Sequence, residues 1–165
     1  MAYPTLQAKN RDLFVSRFQT APEIAAAIVK AVDESSQDAK ILAPYFESDS
    51  QKAAARLIFV FIKNAIPYEK EPSSRQTAKT LARMLQDAKK KGGDCKHYAT
   101  AAAALCKALN IKCKLRLISQ KDGDKTPNHI YTVAVINGRE VIIDPVLKSF
   151  DTEARYNYKY DININ

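Results

Sequence analysis

The chain has 165 residues, 46 % of them apolar, with 26 Lys and Arg against 18 Asp and Glu for a formal charge of +8. That length and apolar content suit one packed domain, 1–165, and four Gly with seven Pro exclude a collagen-like or low-complexity chain. The longest uncharged apolar run, 57–62, is far too short to cross a bilayer, and the opening MAYPTLQAKNRDLF holds no apolar signal core; with three Cys, a reducing, cytoplasmic setting is expected.

The elements follow in chain order. Residues 9–19 read as a short helix that breaks at Ala21-Pro22. From Pro22-Glu23 a helix carries Ile24, Ala27, Ile28, Ala31 and Val32 on one face. Pro44 breaks the chain again. Ser48 or Asp49 would cap the next helix, 51–64, with Ala54, Leu57, Ile58, Phe61 and Ile62 as its apolar set, and Pro67 stops it. Residues 68–74 read as a loop. Residues 76–91 read as a helix through Leu81, Met84, Leu85 and Ala88, ended by Gly92-Gly93. Asp94-Cys95 opens an alanine-rich helix, 95–109, whose small side chains let neighbours approach closely, so it is expected at the centre; Asn110 would cap it in left-handed geometry. Three strands follow, at 112–119, 130–136 and 140–144, the last two joined by a tight Asn137-Gly138 turn. Alternating Tyr156, Tyr158 and Tyr160 suggest a final strand. Helices first and an antiparallel sheet afterwards make an α+β chain without internal repeat or linker.

The charge is not spread evenly. Residues 75–125 hold thirteen basic and four acidic side chains, while the segments on either side are near neutral. The run Lys89-Lys90-Lys91 reads as a solvated helix end.

The sharpest chemical feature is GGDCKHYA, 92–99. A Cys in the first turn of a helix meets unpaired N–H groups and the positive end of the dipole, which favour a thiolate and can receive an oxyanion formed on a carbonyl that it attacks. Gly92 and Gly93 would leave the approach open for a substrate backbone. His129 begins one strand of the hairpin and Asp144 ends the other. Counting outward from the turn puts Tyr131 opposite Asp144 and His129 one pleat beyond on the same face, so Asp144 is placed to hold the imidazole in one tautomer. His97, two residues after Cys95, points about 200° away on a helix and reads as a polar surface residue. Tyr98 faces either the cleft or the core. Cys95, His97, Cys106, Cys113 and His129 lack the paired spacings of a metal site, so no metal is expected.

These segments resemble the transglutaminase-like branch of the papain-type cysteine enzymes, across most of residues 54–150. AARLIFVFIKNAIPYEKE is similar to the helix and Ile-x-Tyr segment ahead of the nucleophile. GGDCKHYATAAAALCKALNIKCKLRLI is similar to the Gly-Asp-Cys helix and the strand after it, and NHIYTVAVINGREVIIDP to the histidine and aspartate strands. The resemblance implies a nucleophile-bearing helix packed on an antiparallel sheet, over a core at 51–150, with 1–50 a helical extension and 151–165 a tail or edge strand. It implies Cys95 as nucleophile, His129 as base and Asp144 as its orienting group, with Gly93, Asp94 and Tyr98 as cleft candidates and Gln76 as a side-chain oxyanion donor. Asn110-Ile111 stands where the family has Gly-Ile. The absence of Trp removes the oxyanion aid of the large animal enzymes, no acidic cluster suggests calcium, and no cofactor is implied. The activity implied is acyl transfer through a thioester on peptide or glutamine amides, first of all as a peptidase or amidase. Protein or peptide substrates are implied, acidic ones being favoured by the basic segment around Cys95, which also favours a thiolate. Two other readings stand beside it. One is a structural or assembly module, such as a virion component of a phage-type member. The other is a basic nucleic-acid binder, for which no basic-aromatic motif speaks.

Overall fold

The computed structural model describes residues 2–16 and 20–164, the side chain of Ser16 apart. Its axis is helix α5, Cys95–Ala108. Ala99 and Ala101 to Ala104 are all buried, so other elements come close on several sides at once. Helices α1 (Ala21–Glu34), α2 (Ser36–Leu42), α3 (Gln51–Ala65) and α4 (Leu81–Asp87) pack around it on one side and the main sheet on the other. The buried cluster draws on residues from Leu6 to Ile164, and α1 and α2 lie directly on α5.

Local chemistry explains most of the boundaries. Ser50 caps α3 by accepting from Ala53 N at 3.1 Å, one residue after the Ser48 or Asp49 expected in that role. Leu57, counted above with the apolar face of this helix, is 42 % exposed; Phe59 is buried instead. Asn110 takes φ +55° just beyond α5, the left-handed geometry expected there.

Two expected helices differ from the fold. Residues 9–19 contain only a short 3-10 turn, Asn10–Asp12, before strand β1, Leu13–Ser16; 17–19 lie outside the described residues. Within 76–91, residues Gln76–Lys79 are strand β2, and α4 starts only after Thr80, whose Oγ1 accepts from Arg83 N at 3.4 Å. β1 and β2 pair antiparallel, Leu13 with Lys79 and Val15 with Thr77. Each strand exists because of the other, 60 to 66 residues away, and short windows around either read equally well as helix.

The main sheet is antiparallel throughout, in the order β5-β4-β3-β6, built from β3 (Cys113–Ser119), β4 (His129–Ile136), β5 (Arg139–Ile143) and β6 (Tyr158–Asn163). Asn137 and Gly138 both have positive φ, +51° and +73°, as a two-residue hairpin turn with the right twist requires. Thr132 pairs with Ile143, which sets Tyr131 level with Asp144. On the inner face Thr132 Oγ1 donates to Ala99 O at 2.8 Å, tying the sheet to α5. On the outer face the Arg116 guanidinium, 1 % exposed, donates to Asp161, Glu140 and Glu153. Among the described residues no helix is long and apolar enough to cross a membrane.

Candidate active site

The site begins with a close backbone approach. Gly93 N donates to Pro67 O and Glu69 N to Gly93 O, each at 2.9 Å, so Tyr68 and Gly93 form a parallel bridge. A Cβ on Gly92 would lie 2.1 Å from Pro67 O. The glycine pair therefore admits the chain's own 67–69 segment. The expectation that it leaves room for a substrate backbone is corrected: Gly93 lies under that segment, outside the walls of the cleft.

Asp94 precedes α5 and is 4 % exposed. Its Oδ2 accepts from Lys96 Nζ at 2.5 Å and from Glu71 N at 3.3 Å, while His97 Nδ1 accepts from Asp94 N at 3.0 Å. Burial alone would raise the Asp94 carboxyl, but His97 and Lys96 beside it hold it well below the usual carboxylate range. Lys96 also meets Glu71 at 3.0 Å, and Thr77 donates through both its N–H and its hydroxyl to that carboxylate. Burial opposes ionisation of Glu71 as well, yet Thr77 and Lys96 lower it. His97 is completely buried, its Nε2 3.2 Å from Thr77 Oγ1, so the surface role expected for it is overturned. The cause is the segment 71–77, the loop before β2 and the first two residues of that strand, which folds over the first turn of α5 and encloses that side.

Cys95, half-buried, is the first residue of α5. His129, the first residue of β4, places Nε2 2.6 Å from Asp144 Oδ2. Asp144 is 2 % exposed and its Oδ1 accepts from Val146 N at 3.2 Å, so the turn after β5 fixes the carboxylate. Burial by itself would depress the imidazole; the hydrogen bond with Asp144 and the nearby Cys95 outweigh it and push His129 up to about 10. With Nε2 held by Asp144, Nδ1 is the ring nitrogen that this carboxylate does not engage.

The family profile described as transglutaminase-like superfamily matches residues 40–145. The chain belongs to the transglutaminase-like superfamily. Two solved structures are similar to it at low identity. One, a candidate protease from Parabacteroides distasonis, is 16 % identical with a TM-score of 0.55, over 77 % of this chain and 27 % of that one. The other, a candidate cysteine protease from Cytophaga hutchinsonii, is 18 % identical with a TM-score of 0.44, over 80 % of this chain and 39 % of that one. The chain thus spans well under half the length of either. No curated protein matches it.

In this member of the superfamily Cys95 and His129 open onto a cleft of about 540 Å³, which Asp94, Lys96, Tyr68 and Gln76 also line. Gln76 Nε2 donates to Pro72 O at 2.8 Å and to Glu71 O at 3.3 Å, so its amide is held by its own loop. Tyr98 is buried and donates to Ile66 O at 2.6 Å; of its two expected places it takes the core. Tyr68, 52 % exposed, stands over it edge to face and lines the cleft in its place. Among the described residues no group of three or more His, Cys, Asp or Glu could hold a metal ion.

Sequence reading missed Tyr68, Glu71 and Lys96. A lysine in the first turn of a helix is repelled by the dipole. That misplacement was the available signal for the two carboxylates that surround Lys96. Nothing local marked Glu71 as one of them.

Proposed function

We propose that this protein is a thiol-dependent peptidase or amidase in which Cys95, His129 and Asp144 act together. One observation carries the reading: a half-buried Cys on the first turn of α5 lines the same cleft as a histidine that is hydrogen-bonded to a buried aspartate. Superfamily membership over residues 40–145 supports it. The Cys95 sulfur attacks the carbonyl carbon of a peptide or side-chain amide. The oxyanion that forms lies at the start of α5, where the Cys95 N–H points and the dipole is positive. The imidazolium of His129 gives its Nδ1 proton to the leaving nitrogen, the C–N bond breaks, and a thioester remains. His129 then takes a proton from water, hydroxide adds to the thioester, and the carboxylic acid leaves with Cys95 restored. Asp144 keeps the ring oriented and stabilises its charged form. Gln76 is a second oxyanion donor in this reading if its amide releases Pro72 O.

Iodoacetamide at neutral pH tests the pair directly. Cys95 is expected to be alkylated at least tenfold faster than N-acetylcysteine, and His129→Ala to remove most of that advantage. Incubation with a mixture of synthetic peptides then separates the chemistries by mass spectrometry: hydrolysed backbone bonds mark a peptidase, Gln converted to Glu an amidase, and joined peptides a crosslinking enzyme. A Cys95 no faster than N-acetylcysteine, with no product that depends on Cys95, would sink the reading.

A further inference from the structure

One stretch of the cleft lining is apolar, and half of it comes from α1, outside the segment that matches the family. Ala21, Ile24 and Ile28 lie on one stripe of α1, at spacings of three and four residues. Facing them are Leu117 and Ile130, cross-strand partners on β3 and β4, with Pro127 at the rim. Ile28, Leu117 and Ile130 are buried and form the floor, whereas Ala21, Ile24 and Pro127 are half-buried and form the sides. None of the six side chains is polar, although Thr126 and Asn128 flank Pro127 at the rim; Lys70, Glu71, Asp94 and Lys96 line the cleft as well. All of them line one continuous cavity with Cys95 and His129.

We propose that this pocket is a substrate subsite built by α1, and that it takes a bulky aliphatic or aromatic side chain of the peptide near the bond attacked by Cys95. The inference rests on Cys95 as the nucleophile. A charged side chain placed here would lose its hydration and find no partner, whereas a leucine or phenylalanine side chain would bury apolar surface against Ile24 and the floor. Because the family match begins at residue 40, the three α1 residues give a selectivity that belongs to this chain and not to the superfamily core.

The test uses acetyl-dipeptidyl chloromethyl ketones that carry Ala, Leu, Phe or Asp at each of the two positions, with Ala at the other. The rate of Cys95 alkylation is read by mass spectrometry and divided by the iodoacetamide rate of the same protein. At one of the two positions Leu or Phe is expected to react at least about tenfold faster than Ala, and Asp more slowly than Ala. Ile24→Asp should collapse the preference to less than about threefold. Ile24→Phe, which narrows the pocket without adding polarity, should turn selectivity from Phe toward Ala, and circular dichroism checks that both variants are folded. Equal rates for Leu, Phe, Ala and Asp with rapid iodoacetamide labelling would overturn the subsite alone, as would a preference that survives both substitutions. Iodoacetamide labelling of Cys95 no faster than N-acetylcysteine would instead overturn the catalytic reading, and this inference with it.

Discussion

Asp144 Oδ2 lies 2.6 Å from His129 Nε2, and the contact joins the two ends of the β4–β5 hairpin where they reach the first turn of α5. Removing the negative charge while keeping the shape, as in Asp144→Asn, leaves the imidazole free to adopt the other tautomer. Turnover should fall on the order of 10²- to 10⁴-fold with little change in substrate KM. The same pair makes stability depend on pH. His129 is pushed up to about 10 in the folded protein against about 6.5 in an unfolded chain, so its charge stabilises the fold fully below pH 6.5. That stabilisation is lost as pH rises from about 6.5 to 10. Thermal melts across this range should show a decline in the native protein that is much shallower in Asp144→Asn. Equal slopes would deny the coupling.

The hairpin was legible because its information is local. The Asn137-Gly138 turn fixes the register, and the register fixes Asp144 relative to His129 by counting alone. The central helix was legible for the same reason, from its run of alanines and the polar residue before it. What escaped depends on partners distant in sequence. Gln76–Lys79 is a strand only because Leu13–Ser16 lies beside it. His97 is buried only because Glu71 and Thr77 fold over it. The cleft wall on α1 uses Ile24 and Ile28 of the apolar face legible in the sequence, but that they line a cleft with Leu117 and Ile130 depends on residues about ninety positions or more along the chain.

Arg116 is a second point where charge holds structure. Its guanidinium is 1 % exposed and bonds to Asp161, Glu140 and Glu153, while Tyr131 donates to Glu153 at 2.8 Å. The arrangement pins the 151–157 segment and β6 to the sheet. Arg116→Met leaves Glu153 without its cation, and Glu140 and Asp161 with Lys114 alone. Their own exposure moderates the cost, which should be roughly 3 kcal/mol, at the low end for a broken buried pair. At about 2–4 °C per kcal/mol for a chain of this size, the melting temperature should drop by roughly 6–12 °C. Hydrogen bonds from Arg116 hold Asp161 and Glu140 each at about 2. Lowered values stabilise above the unfolded carboxylate range near 4, and that stabilisation is lost as pH falls from about 4 to 2. The acid limb of a stability–pH curve should be flatter over that window in Arg116→Met.

Gly92 and Gly123 give a matched pair of substitutions. A Cβ at Gly92 would strike Pro67 O at 2.1 Å and Glu69 Cβ at 2.8 Å, and the carbonyl belongs to the backbone and cannot swing aside. Gly92→Ala should cost at least about 2 kcal/mol and slow Cys95 alkylation, because the 67–69 segment would move off the start of α5. Gly123 has φ +72° with nothing within 4 Å of an added Cβ, so Gly123→Ala meets only the strain of left-handed geometry, about 1 kcal/mol. It should leave the alkylation rate unchanged. Equal effects of the two on Cys95 would show that the close approach at Gly92 does not position the nucleophile.

The basic excess of residues 75–125 is answered in part by acids in space. Lys79 pairs with Asp87 at 3.2 Å, Lys96 with Asp94 and Glu71, and Lys107 with Asp33 at 3.0 Å; Lys114 and Arg116 meet carboxylates from β5 and β6. Asp33, Glu71, Glu140 and Asp161 all come from outside the basic segment, so the local imbalance read along the chain is reduced by folding. Lys89, Lys90 and Lys91 remain exposed on the turn after α4. Replacing all three by Ser should shift stability by no more than about 0.5 kcal/mol per position, as usual for surface sites, and leave Cys95 alkylation within about twofold. Any affinity for a DNA duplex that depended on this run should disappear, with a drop of about three in the slope of log affinity against log salt. If duplex binding is strong, salt-dependent and lost in this variant, the basic run serves a nucleic acid. If alkylation slows instead, the three lysines act on Cys95 from a distance, which their position on the far side of Gly92 argues against.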